Sequence, residues 1–191
     1  MNPKIKLVVI IREPVKRTIS TFVHLYGRRL FEKGFNYQKH FEFQIFEKNK
    51  TIIIDDEFCK VKRRKSVTFI NDGLYVVHLR KWLNFFPLNQ ILFVNGEQFI
   101  RNPYKEIKKI ESFLQLDSFF QPEHFVFNTE KIFYCINKSL FNSTEDQCLG
   151  SDKGREHPKL DNKVLEKLKE FYKPYSIELF EMIKEKPFWE I

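Results

Sequence analysis

The chain has 191 residues, with 33 Lys and Arg against 25 Asp and Glu, a formal charge of +8. Hydrophobic residues make up 42% and aromatics 16%, with 22 Phe and only 6 Gly, which excludes a disordered, collagen-like or linker chain, since those lack apolar surface to bury. No apolar run approaches the ~20 residues that span a bilayer and the first six residues carry no signal-like apolar stretch, so the expectation is a single soluble domain over residues 1–191 with no membrane segment.

Residues 5–11 (IKLVVII) form a near-continuous apolar run, the pattern of a strand buried on both faces. It ends at Arg12-Glu13-Pro14, and Pro suits a first helical turn because its missing N–H would have no partner there. Ile19, Phe22, Val23 and Tyr26 follow at helical spacing, predicting a helix to about Leu30. Residues 31–71 alternate charge and aromatics and read as loops with one or two short helices. They hold a sequon at Asn49 and a basic run over residues 60–65, KVKRRK, which reads either as a solvated face or as a surface toward a sulfated chain, the solvated face favoured.

Leu74, Val77, Leu79, Trp82, Leu83 and Phe86 predict a second helix, stopped by Pro87. Residues 91–94 (ILFV) are a second buried-type strand, 96–101 a short turn or helix, and 103–114 a helix opened by Pro103. Residues 125–127 read as a short strand. Asp161 caps a last helix, with Val164, Leu165, Leu168, Phe171 and Tyr172 on one face. Pro174 is expected to interrupt it, and residues 176–184 to resume it. Buried strands alternating with helices point to an α/β layer fold, although two strong strands are few for a sheet.

The charge of +8 suits a polyanion: nucleic acid, acidic lipid, a phosphorylated cofactor or a sulfated sugar. The basic residues are dispersed and no nucleic-acid motif is present, so nucleic acid is not an expected partner. Arg12 stands at the carboxyl end of a strand and directly before a helix, where α/β sheets bind ligands and free N–H groups favour anions. Lys16 and Ser20 share a helix face beyond it, and the set reads either as a phosphate site or as a solvated basic turn. Lys153-Gly154-Arg155-Glu156-His157 is a second donor-rich loop, or only a connection. Cys135 and Cys148 bracket a polar segment with sequons at Asn137 and Asn142. They read as a bridge in an oxidising compartment or as reduced thiols. His24, His40, His78 and His124 have no carboxylate partner in sequence and read as packing or surface groups. No zinc-type Cys/His spacing occurs, so no metal is expected.

Four segments, VVIIREPVKRTIS (8–20), LYVVHLRKWLNFFPLNQILFVNGEQFIRNPYKEIKKIESFLQL (74–116), HFVFNTEKIFYC (124–135) and CLGSDKGREHPKLD (148–161), resemble in that order the heparan sulfate glucosamine 3-O-sulfotransferases. The match covers most of the chain and is poor over residues 31–71. The resemblance implies a three-layer α/β fold, a parallel sheet flanked by helices of the nucleoside-kinase-like, P-loop sulfotransferase type, incomplete at its N-terminus. It implies transfer of a sulfuryl group from 3′-phosphoadenylyl sulfate to the 3-hydroxyl of a glucosamine in heparan sulfate, in the Golgi lumen.

By the same resemblance, the Arg and Ser that hold the cofactor 3′-phosphate fall on Arg12 and Ser20. Further cofactor contacts fall on Tyr134 and on Lys153, Gly154, Arg155, Glu156 and His157. The family disulfide falls on Cys135 and Cys148 and leaves Cys59 unpaired. Glu13 replaces the family's Asp, and a longer carboxylate is expected to cap less well. The family's phosphosulfate loop and its Glu base precede the strand that opens this chain. No catalytic residue is therefore assigned, and little or no turnover is expected of the chain alone. The alternative is a non-catalytic module that binds heparan sulfate or heparin.

Overall fold

The computed structural model describes residues 4–26, 36–42, 54–55, 60–61, 68–150, 157 and 159–191. The chain divides into two compact units, residues 1–11 with 87–156 and residues 12–86 with 157–191.

In the first unit, β1 (Leu7–Ile11) pairs in parallel with β4 (Ile91–Asn95), from Leu7 opposite Ile91 to Ile11 opposite Asn95. Helices α5 (Gly96–Arg101) and α6 (Pro103–Leu114) follow β4, and α6 packs against it. An antiparallel hairpin, β5 (Phe125–Asn128) with β6 (Phe133–Ile136), lies beside α5. Ile11, Ile91, Phe93, Val94 and Cys135 are buried here. Each helix start has its own cap. The Asn95 side chain accepts the N–H groups of Glu97 and Gln98 at 3.0 and 3.1 Å, and the Asn102 side chain accepts that of Lys105 at 3.2 Å, with Pro103 next. Segment 96–101 is thus a helix rather than a turn.

The sequence predicts β1 as buried on both faces, and the structure differs. Only Ile11 is buried, while Val8, Val9 and Ile10 are 37%, 36% and 53% exposed. β4 is its one ladder partner among the described residues, so β1 is an edge strand there. The apolar run fixed the element, but the burial of a strand depends on its neighbours.

The second unit is helical: α1 (Pro14–Tyr26), α2 (Tyr37–Glu42), α3 (Thr68–Asn71), α4 (Tyr75–Trp82) and α7 (Asn162–Ile183), with a two-residue antiparallel pairing of β2 (Ile54–Asp55) and β3 (Lys60–Val61). Phe22 is fully buried, and the rings of Tyr37, Phe41 and Phe69 meet it edge-on at 5.1, 4.9 and 5.3 Å. α7 packs on α1 and α4. Its buried face carries Val164, Leu168, Tyr172, Leu179, Phe180 and Ile183 at helical spacing.

Several boundaries move from their predicted places. α1 ends at Tyr26 rather than Leu30, and residues 27–35 lie outside the described residues. α4 ends at Trp82 rather than Phe86. Beyond it the N–H groups of Asn84 and Phe85 bond three residues back, to Lys81 and Trp82. That is the tightening common at helix ends, while the Phe86 N–H still reaches four residues back to the Trp82 carbonyl at 2.8 Å, directly before Pro87. α7 runs unbroken through Pro174. Pro174 and Glu170, whose carbonyl loses its bond, are both exposed residues, while Leu168, Tyr172 and Leu179 on the opposite face are buried and hold the helix together.

One buried network joins three helices. Thr18 Oγ1 lies 2.6 Å from the Tyr172 hydroxyl and 2.9 Å from the Pro14 carbonyl, and the Tyr172 hydroxyl donates to the Ile70 carbonyl at 2.8 Å. Gly73 makes room for it, because a Cβ there would sit 2.9 Å from two carbons of the Tyr172 ring. Among the described residues no helix is long and apolar enough to cross a membrane.

Candidate functional site

The chain leaves β1 at Ile11 and enters α1 at Pro14, so Arg12 and Glu13 form the turn between them. Glu13 caps α1 with both carboxylate oxygens. Oε1 accepts the Val15 N–H at 3.0 Å and Oε2 the Lys16 N–H at 2.8 Å, while its carbonyl accepts the Arg17 N–H at 2.9 Å. The longer side chain expected to cap less well thus engages two amides. The same geometry alters the anion reading. These N–H groups are already taken by a carboxylate, so a phosphate at this turn would be held by side chains and not by the helix terminus.

Those side chains are placed differently from one another. Arg12 is half-buried, and its backbone N–H donates to the Tyr75 hydroxyl at 3.2 Å. Ser20 lies one turn beyond Lys16 on α1, half-buried, and its hydroxyl makes no hydrogen bond among the described residues. A helical Ser either returns its hydroxyl to a backbone carbonyl or points it toward solvent, and in the second case it can meet an external acceptor. Arg17, the other guanidinium of the segment, is engaged elsewhere. It pairs with Asp72 Oδ2 at 3.3 Å, and Thr21 donates to the same oxygen at 3.0 Å.

Tyr75 did not figure among the residues read from the sequence. Its hydroxyl accepts the Arg12 amide, and the phenolic proton has no acceptor among the described residues. Burial pushes its pKa up to about 12, partly offset by the Arg12 hydrogen bond, so at neutral pH it is a donor. The signal for it was faint: a tyrosine at the first helical position, off the apolar stripe of α4.

In the other unit, Tyr134 is 37% exposed and meets the Phe127 ring across the hairpin at 5.3 Å. Its neighbour Cys135 is buried on the opposite strand face and is bonded to Cys148. The bridge closes a loop that contains a short 3₁₀ turn, Lys138–Phe141, and returns to the sheet where Gln147 bonds Ile136 in both directions at 2.8 and 2.9 Å. His157, which belongs to the helical unit, is half-buried. Lys153, Gly154, Arg155 and Glu156 lie outside the described residues, as do Cys59 and residues 62–65 of the basic run.

The four histidines read as packing or surface groups are so placed. His24 is exposed, and His40 packs against Tyr26 and Phe22. His78 bonds the Asn71 carbonyl, and His124 accepts the Gln121 N–H. Among the described residues no group of three His, Cys, Asp or Glu is arranged to hold a metal.

A parallel strand pair with helices defines an α/β chain, with Arg12 directly after the first strand and Ser20 in the helix that follows. The chain belongs to the sulfotransferase domain family, whose model matches residues 1–185. It is 35% identical over 182 residues to human heparan sulfate glucosamine 3-O-sulfotransferase 3B1, covering 95% of this chain and 43% of that protein. To mouse heparan sulfate glucosamine 3-O-sulfotransferase 5 it is 33% identical over 183 residues, covering 95% and 48%. The chain therefore spans about half the length of the curated relatives it matches. A crystal structure of a sulfotransferase from Alicyclobacillus acidocaldarius matches with a TM-score of 0.57 at 17% identity, covering 95% of this chain and 55% of that one. That likeness concerns the fold.

Proposed function

We propose that this chain binds the 3′-phosphate end of 3′-phosphoadenylyl sulfate within a heparan sulfate glucosamine 3-O-sulfotransferase of the Golgi lumen. The observation that carries the reading is the Arg12 turn. Arg12, half-buried, precedes α1, the Ser20 hydroxyl on that helix makes no hydrogen bond among the described residues, and Tyr75 holds the Arg12 backbone. A planar guanidinium with a hydroxyl suits a phosphate dianion, which accepts two or more charge-assisted bonds.

In sulfuryl transfer the acceptor oxygen attacks sulfur in line, the bond from sulfur to the phosphate oxygen breaks, and adenosine 3′,5′-bisphosphate leaves. Such displacements depend mainly on positioning and on stabilising charge. Arg12 and Ser20 contribute positioning, by anchoring the cofactor away from the reacting bond. Tyr134 and the 153–157 loop carry the family's other cofactor contacts by resemblance. No residue of this chain is assigned as the base.

The net charge of +8 supports a sulfated polysaccharide as acceptor, and equally a second reading, a heparan sulfate-binding module without a nucleotide site. Calorimetric titration with adenosine 3′,5′-bisphosphate separates the two. Binding supports the sulfotransferase reading. A chain that is retained on heparin, but not on phosphocellulose of equal charge, and binds no nucleotide supports the module.

A further inference from the structure

The disulfide loop holds two sequons, Asn137-Lys138-Ser139 and Asn142-Ser143-Thr144, and their asparagines stand in opposite situations. Asn137 is half-buried with its side-chain amide in use at both ends. Oδ1 accepts the Ser139 N–H at 2.9 Å, and Nδ2 donates to the Glu123 carbonyl at 3.1 Å. Its backbone N–H also donates to the His124 carbonyl at 2.9 Å. It caps the 3₁₀ turn and fastens the loop to the turn before β5. Asn142 ends the same turn in the left-handed region, at φ 50° and ψ 36°, a conformation Asn tolerates better than most residues. It is exposed, and its side chain makes no hydrogen bond among the described residues. Thr144 is likewise exposed, with its hydroxyl unbonded among those residues.

We propose that Asn142 is an N-glycosylation site and that Asn137 stays unmodified. Nδ2 of Asn142 forms a bond to the anomeric carbon of a lipid-pyrophosphate-linked oligosaccharide. The bond from that carbon to the pyrophosphate oxygen breaks, Nδ2 gives up one proton, and the lipid pyrophosphate leaves. At Asn142 the product costs the fold no contact. At Asn137 a sugar on Nδ2 would crowd a half-buried nitrogen that already holds the Glu123 carbonyl. The Cys135–Cys148 bridge around the sequon belongs to an oxidising compartment, where such glycan donors are met. The inference rests on the lumenal part of the proposed function and not on the nucleotide site.

The test expresses the chain behind a cleavable secretion leader in a eukaryotic cell and pools secreted and lumenal protein, so that poor export of a variant hides nothing. Release of glycans by amidase in heavy-oxygen water labels each formerly occupied asparagine position. The expected result is label at position 142 and none at 137. Asn142→Gln and Thr144→Ala each lose one glycan step in gel mobility, and Asn137→Gln keeps it. The sequon at Asn49, outside the described residues, is read separately by the same mapping. Label at 137, with or without label at 142, or none at 142, overturns the proposal. Titration of the same protein with adenosine 3′,5′-bisphosphate keeps the two readings apart: occupancy at 142 without nucleotide binding would count against the nucleotide site alone.

Discussion

The Tyr75 hydroxyl accepts the backbone N–H of Arg12 at 3.2 Å, so the first residue of α4 fixes the turn from which α1 starts. Tyr75→Phe removes that acceptor, an expected loss of about 1 kcal/mol. Because the turn carries Arg12, the variant should also bind adenosine 3′,5′-bisphosphate several-fold more weakly, with affinity for adenosine 5′-phosphate unchanged. Denaturant melts and parallel titrations read the two effects. Equal weakening for both nucleotides would mean a general loss of structure and not a role at the 3′-phosphate.

Gly73 and Tyr172 set a second test. Gly73→Ala places a methyl group 2.9 Å from a buried ring that two hydrogen-bonding partners hold in place. Overpacking of this kind costs roughly 1–3 kcal/mol. Tyr172→Phe keeps the ring and loses the bonds to Thr18 and Ile70, about 1–2 kcal/mol. The Tyr172 hydroxyl is itself among the atoms nearest the added methyl, at 3.0 Å, and without its bonds the ring can give way, so in chemical denaturation the double variant should lose less than the sum of the two single losses.

Reduction of Cys135–Cys148 should lower stability by roughly 3 kcal/mol in the chain-entropy account of a loop this size. Thermal melts with and without reductant, compared with the Cys135→Ser and Cys148→Ser pair, check it. A midpoint indifferent to reductant would show that the bridge is absent from the protein in solution.

Glu111 predicts an acid limb. Its carboxylate is held below the ordinary carboxylate range, chiefly by Lys108 and then by the N–H groups of Phe120 and Phe119. A carboxyl whose folded pKa is lowered stabilises the fold above its unfolded pKa, and that contribution is lost as pH falls through the folded value. Stability should therefore decline below the ordinary carboxylate range, and Glu111→Gln should flatten that limb in melts collected against pH.

The element plan was legible wherever period and punctuation agreed. Residues 103–114, between Pro103 and the left-handed Gln115, became α6 without revision. The apolar run at β1 gave a strand, but its exposure depends on which strands lie beside it, which no local pattern encodes. Pro174 misled, because a propensity argument knows nothing of the Leu168, Tyr172 and Leu179 contacts that hold α7 through it. The placement of Arg12 after a strand and of Ser20 within the next helix was legible. Tyr75 was not, because its partner is 63 residues away in the chain. The two-handed cap by Glu13 escaped as well, since cap preferences rank residue types and not reach.

The most direct measurement is a calorimetric titration of the parent chain, Arg12→Ala and Ser20→Ala with adenosine 3′,5′-bisphosphate and with adenosine 5′-phosphate. The account predicts that the parent prefers the bisphosphate at least tenfold, about 1.4 kcal/mol, and that each variant loses most of that preference while keeping its fold. A parent that binds both nucleotides equally, or variants that retain the preference, would contradict it.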